Sequence, residues 1–135
     1  MIRRLIILLL IVGCEEVTEP KDDVNPLVGS WTAYQKINNI NNSITISTDS
    51  TFGSTYIFNI DSTFTHSFWE YEQINYSWTA GYTVETNGTW YINGNQFTEI
   101  TNVVAGEGTF VYDYSITNNV LIMNNDDFEY KYTKN

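Results

Sequence analysis

The fold class is decided by residues 84–103, VETNGTWYINGNQFTEITNV, in which two strand-like runs flank a short polar turn. Aromatic and β-branched residues alternate with polar ones on both sides of Asn93, Gly94 and Asn95. A period of two is typical of β-strands, and asparagine and glycine tolerate the backbone angles of tight turns. This stretch therefore predicts an antiparallel hairpin.

The same alternation recurs from Leu27 to the end of the chain, and no segment there keeps the 3.6-residue spacing of a helix for more than a turn. It is least regular over residues 75–86. Short turns leave no room for the helical crossovers that parallel strands need, so the strands are expected to run up and down. The predicted strands are 30–37, 43–47, 54–60, 63–73, 84–92, 96–103, 109–117, 120–124 and 128–133.

Eight or nine short strands in one all-β domain, residues 27–135, close into a small antiparallel barrel or fold into a sandwich. The chain of 135 residues has room for one domain beside a leader and a tether. Closure removes the exposed strand edges that a secreted protein must otherwise protect, which favours the barrel.

Residues 1–13 have the three parts of a signal peptide. Arg3 and Arg4 form a basic start, an apolar run of eight follows over 5–12, and Gly13 precedes Cys14. A transmembrane helix needs about 20 apolar residues, so this run is too short to span a bilayer.

The sequence IVGC at 11–14 resembles the lipobox of bacterial lipoproteins. That resemblance implies cleavage before Cys14 and acylation of its thiol and amine, with palmitate among the chains attached. Several acyl chains anchor a protein stably, whereas one holds it only marginally. The expected partner is therefore a membrane, reached through a lipid anchor, and the expected location is the outer membrane of a Gram-negative cell envelope.

Residues 14–26 form the lipidated cysteine and an acidic tether, CEEVTEPKDDVNP, with five carboxylates and two prolines. Such a segment has no apolar period and is expected to be a disordered spacer. Glu15 and Glu16, directly after the cysteine, resemble a surface-export signal of some Gram-negative lipoproteins. Surface exposure of the domain is therefore a hypothesis.

Three further motifs resemble the lipocalins and lipocalin-like bacterial lipoproteins. They are LVGSW at 27–31, FNIDSTF at 58–64 and GTWYINGN at 88–95. The resemblance implies that Gly29 and Trp31 form the fold signature and that Trp31 plugs the closed end of the barrel. Lipocalins pack an arginine over this tryptophan. Since no arginine follows Arg4, Lys131 or Lys134 would have to take that place.

Composition argues against several classes of function. The net charge of −10 makes nucleic acid an improbable partner. A Ser/His/Asp or Cys/His site is not expected, because His66 is the only histidine and Cys14 the only cysteine, so we predict no enzyme and no cofactor.

On a strand His66 and Glu70 stand about 13 Å apart, too far to share a metal ion. A glycosidase pair needs carboxylates about 5 to 10 Å apart, which sequence cannot measure. The carboxylates on predicted strands are Glu70, Glu72, Glu85, Glu99 and Asp113.

The aromatic residues carry the main functional signal. His66 alternates with Phe64 and Phe68, while Trp69 and Tyr71 share the opposite face, so one aromatic pair must point outward. Aromatic rings that point outward could stack on a glycan or contact a partner protein. The candidate contact residues for a ligand or partner are His66, Trp69, Tyr71, Trp78 and Tyr82.

The sequence leaves two functions open. The leading one is non-catalytic binding of a small apolar molecule or glycan at the barrel mouth. The alternative is a filled-core module that contacts other envelope proteins through exposed aromatics. Large rings at inward positions predict a filled interior and a small site at the mouth. The residues that alternation places inward are Trp31, Tyr56, Phe58, Phe64, Phe68, Trp90, Phe97, Phe110, Tyr112, Tyr114, Phe128, Tyr130 and Tyr132.

Overall fold

A computed structural model of the chain describes residues 24–49, 51–74, 77–81, 83–103 and 106–135, without the side chains of 72–80 and 103–107. Cys14, the predicted leader, most of the predicted tether and Tyr82 lie outside the described residues. Within the described part, no helix has the length and apolar character needed to cross a membrane.

Every regular element described is a β-strand. In chain order the strands are β1 Gly29–Asn38, β2 Ile44–Ile46, β3 Phe52–Phe58, β4 Thr63–Ile74, β5 Ser77–Ala80, β6 Val84–Asn93, β7 Gln96–Val103, β8 Gly106–Thr117, β9 Val120–Asn124 and β10 Phe128–Lys134.

Eight of these strands close an antiparallel ring. Neighbours pair in the order β10, β9, β8, β7, β6, β4, β3, β1, and β1 pairs again with β10 from Trp31 opposite Lys134 to Asn38 opposite Phe128. Two strands lie off the ring: β2 pairs with the end of β1, and β5 pairs with the end of β4. The prediction of a closed up-and-down barrel is confirmed.

Two differences from the predicted strands have local causes. Strand β5 was not predicted; it folds back on β4 beyond Phe68, where the pairing of β4 with β6 ends. Strand β3 begins at Phe52, two residues earlier than predicted. It therefore contains Gly53, a residue type that weakens a strand. Opposite Gly53, the indole of Trp69 fills the space of a side chain, since a Cβ there would lie 2.1 Å from Nε1. The aromatic neighbour supports the glycine within the strand.

The hairpin turns use residues that accept left-handed backbone angles. Asn118 and Asn119 have φ values of 51° and 61°, which suit the two-residue turn between β8 and β9. Ser62 has a φ of 66° between β3 and β4, and Asp61 accepts hydrogen bonds from the backbone and hydroxyl of Thr63 there. These turns lie at one end of the ring, the closed end.

Trp31 lies buried at the closed end of the barrel. It is 1% exposed, and its Nε1 donates to the carbonyl of Leu27 at 2.7 Å. The ammonium of Lys134 lies 5.2 Å from the centre of the indole, so Lys134 occupies the place of the lipocalin arginine, and Lys131 pairs with Glu129 instead. The fold signature at Gly29 fits the same contact, because a Cβ there would lie 2.9 Å from Lys134 Cε.

Aromatic side chains pack the closed half of the barrel solid. Phe58 is the centre of this packing, with ring centroids 5.0 Å from Tyr56, 5.3 Å from Phe97 and 5.7 Å from Trp90. Most of the residues predicted to face inward do so. Phe110 is the exception in burial: it shares the inward face of β8 but is 48% exposed, because it stands at the open rim. Among the described residues, the largest fully buried side chains are those of Leu27, Trp31, Phe52, Tyr56, Phe58, Phe64, Phe97, Leu121 and Met123.

Candidate ligand site at the barrel mouth

The open end of the barrel contains a cavity with two lobes. One lobe has a volume of 210 Å³ and is bordered by Tyr130 and Phe128, and the other has a volume of 280 Å³ and is bordered by Phe110 and Thr86. Both lobes are lined by His66, Phe68 and Tyr112. These three residues, on β4 and β8, therefore form the shared wall of the mouth.

A buried carboxylate lines the larger lobe. Glu99 on β7 is 4% exposed, and its two oxygens accept hydrogen bonds from Tyr56 at 2.9 Å and from Tyr112 at 3.4 Å. Burial raises the pKa of Glu99 to about 7 from an ordinary 4.5, against the lowering effect of the two tyrosine hydroxyls. Near neutral pH this group therefore exchanges readily between its charged and neutral forms.

A second group of hydrogen-bonded side chains lines the smaller lobe. Ser54 Oγ is hydrogen-bonded to His66 Nε2 at 2.9 Å and to the hydroxyl of Tyr132 at 3.1 Å. The imidazole stacks on Tyr56 with centroids 3.9 Å apart. Burial lowers the pKa of His66 to about 4, so the ring is neutral at physiological pH. His66 therefore offers the cavity a neutral polar edge and no positive charge.

A lysine lies inward near the rim. The register of β1 against β10 shifts between Ala33 and Gln35, and this irregularity turns Lys36 toward the interior. Its ammonium pairs with Glu70 and lies 5.4 Å and 5.2 Å from the ring centres of Phe52 and Phe128. The positive charge of Lys36 is thus already matched within the protein.

The structure separates the predicted contact residues. His66 lines the mouth, whereas Trp69 and Tyr71 lie on the opposite, outer face of β4 and pack edge to face at 5.8 Å. The inward pair is therefore Phe64 and Phe68. Trp78 lies on β5, but its side chain is not described, and Tyr82 and Cys14 are outside the described residues.

Sequence reasoning missed Ser54, Glu99 and Tyr112 as a polar group around His66. Alternation carried part of the signal, because Glu99 stands two residues after the inward Phe97 and Ser54 two residues before the inward Tyr56. Their meeting depends on register between strands, which a single sequence does not specify. Among the described residues, no three His, Cys, Asp or Glu side chains group as metal ligands.

A larger depression of 590 Å³ lies outside the barrel at the closed end, between Val24, Ile60 and Tyr91. These three side chains are 53%, 77% and 52% exposed. It adjoins the start of the described chain and contains no buried ionisable group, so the mouth is the better candidate site.

The barrel is similar to two solved structures, and this likeness is one of fold. A lipocalin-like protein from Bacteroides uniformis superposes with a TM-score of 0.55 at 14% identity, over 81% of this chain and 98% of that one. An uncharacterised protein from Bacteroides eggerthii gives a TM-score of 0.52 at 14% identity, over 80% and 98%. No protein-family model matches the sequence, and no curated protein is significantly similar to it. The fold is lipocalin-like.

Proposed function

We propose that this protein is an envelope-anchored lipoprotein whose barrel binds a small apolar molecule or glycan at its mouth, without catalysing a reaction. The observation that carries the proposal is the cavity of two lobes with its shared wall of His66, Phe68 and Tyr112. Aromatic walls with a few convergent polar groups are typical of small-ligand sites.

The size of the cavity limits the ligand. Sites for drug-sized molecules usually begin at about 300 Å³, and each lobe is smaller than that. A compact ligand fits the larger lobe, whereas a long acyl chain would have to displace the buried rings of Tyr56 and Phe58.

Two features support a non-catalytic role. Ser54 and His66 are within hydrogen-bonding distance, but Ser54 is 3% exposed and its Oγ is shared between His66 and Tyr132. A serine nucleophile needs a base that accepts its proton. With its pKa lowered to about 4, His66 is a weak base for that role.

Blocking the mouth tests the binding proposal. Thr86 faces the larger lobe, and Thr89 is exposed on the outer face of the same strand. We expect Thr86→Trp to abolish binding of 2-phenylethanol by the full chain in lipid nanodiscs, measured by ligand-observed NMR, and Thr89→Trp to leave it unchanged. Equal binding by both variants would place the ligand elsewhere.

The anchor has a separate test at Cys14. We expect Cys14→Ser to move the protein from the membrane fraction to the soluble fraction without unfolding the barrel, since the described core lies between Leu27 and Tyr132. A variant that still sediments with membranes would contradict the lipid anchor.

The alternative function, contact with another envelope protein, is favoured by the outward position of Trp69 and Tyr71. Elsewhere on the surface, Ile44 and Ile46 of β2 are 60% and 55% exposed. The double variant Trp69→Ser/Tyr71→Ser should abolish cross-linking to that partner in cells and leave 2-phenylethanol binding intact.

A further inference from the structure

The ionised form of Glu99 has no positive partner among the described residues. The three lysines of this part of the chain are engaged elsewhere: Lys36 pairs with Glu70, Lys131 pairs with Glu129, and Lys134 lies over Trp31. A buried carboxylate is costly to ionise unless a cation is supplied.

In the part of the chain that the structure describes, the groups that face Glu99 are neutral. Tyr56 on β3 and Tyr112 on β8 donate hydrogen bonds to it, while His66 on β4 lines the same lobe with an uncharged imidazole. Each carboxylate oxygen can accept more than one hydrogen bond, so both retain room for a donor from a ligand. No described residue supplies the positive charge that would complete this site, so a ligand is the source that we consider.

The rest of the lobe suits the organic part of a cation. Phe68, Phe110 and Tyr112 line it, and aromatic faces attract cations as well as apolar groups. A volume of 280 Å³ corresponds to about nine water molecules at roughly 30 Å³ each, enough for one ring with a short side chain.

On the premise of the proposed mouth site, we propose that its ligands are small primary amines. The ammonium group pairs with Glu99, and a compact apolar body of about one ring lies against Phe68, Phe110 and Tyr112. The carboxylate is thus the residue that determines specificity, and the aromatic wall supplies affinity for the apolar part.

Three compounds of nearly the same shape and different charge test this inference. They are 2-phenylethylamine, 2-phenylethanol and phenylacetate, titrated at neutral pH into the full chain in lipid nanodiscs, with empty nanodiscs as the blank. Charge-assisted hydrogen bonds are stronger than neutral ones, so we expect the amine to bind about tenfold more tightly than the alcohol. Phenylacetate should bind most weakly, because it brings a second negative charge to Glu99.

Removing the charge of Glu99 should remove the preference. Glu99→Gln keeps the shape and an oxygen that accepts from Tyr56, and we expect it to bind the amine and the alcohol equally. Glu85→Gln is the matched control, because Glu85 is exposed on the outer face of β6, and it should retain the preference for the amine.

The outcomes separate this inference from the function on which it rests. An amine that binds no more tightly than the alcohol to the unmodified chain overturns the inference and leaves the mouth site standing. Binding of none of the three compounds overturns the mouth site as well. The comparison on the unmodified chain decides the inference even if Glu99→Gln does not fold, and a preference retained by a folded Glu99→Gln protein contradicts it.

Discussion

The closed half and the mouth of the barrel are made from the same strands, yet they are filled differently. Around Phe58 the closed half contains apolar rings in contact, and Trp31 seals it. The mouth contains Glu99 and His66 beside empty volume. Close-packed rings stabilise a fold but leave no space for a ligand. The rings that stabilise the barrel and the space open to a ligand therefore lie in separate halves of one small barrel.

The largest expected effect is on the closed half. Trp31→Ala should lower the free energy of unfolding by about 3 to 5 kcal/mol, because it removes the largest fully buried side chain. Trp69→Ala, which removes the same side chain from the outer face, should cost about 1 kcal/mol. Urea denaturation followed by circular dichroism measures both. Equal losses would show that Trp31 does not seal the barrel.

The buried carboxyl group at the mouth should make the stability of the fold depend on pH. The folded protein holds the proton of Glu99 up to a pKa of about 7, whereas the unfolded chain releases it near 4.5. Glu99 therefore stabilises the fold fully below pH 4.5, and this contribution is lost as the pH rises through 7. His66 acts in the opposite sense: its contribution is present above pH 6.5 and is lost as the pH falls toward 4.

Because the two effects oppose each other, a variant is needed to separate them. Between pH 4.5 and 8, the stability of Glu99→Gln relative to the unmodified protein should rise by about 3 kcal/mol, since one pKa unit corresponds to about 1.4 kcal/mol. Urea midpoints measured across this range check the prediction. A difference that does not change with pH would mean that Glu99 titrates normally and that the mouth is open to water.

The smallest expected effect is at the outside of the closed end. Lys134→Gln removes the ammonium over Trp31 and should cost about 0.5 to 1 kcal/mol, as expected for an exposed cation–π contact. Lys131→Gln is the matched control, because the ion pair described for Lys131 is the surface pair with Glu129, and it should cost less than about 0.5 kcal/mol. Thermal unfolding of both variants measures the difference. Identical unfolding midpoints would show that the contact of Lys134 with Trp31 does not stabilise the closed end.

The closed half was predictable from sequence because patterns within single strands and turns determine it. The alternation of Phe58 and Phe64 around the Asp61 turn, and the position of Trp31 at the head of the first strand, predict inward rings and hairpins without knowledge of the rest of the chain. Strand β5 was not predicted, because its position depends on the point at which the pairing of β4 with β6 ends.

The polar group of the mouth was less predictable for a physical reason. Ser54, His66 and Glu99 come from three strands, and their meeting depends on cross-strand register and on the path of each strand around the ring. Lys36 is a sharper case, since simple alternation from Trp31 places it outward and an irregularity in β1 turns it inward.

A filled closed half beneath a small mouth limits the length of the ligand that the barrel can accept. The measurement is displacement of bound 2-phenylethanol from the full chain in lipid nanodiscs, followed by NMR, with fatty alcohols of increasing chain length. We expect short alcohols to compete and affinity to stop rising once the alkyl chain is longer than the mouth. Stoichiometric binding of a long-chain alcohol at submicromolar affinity would contradict it, because such a chain fits only if the rings of the closed half give way.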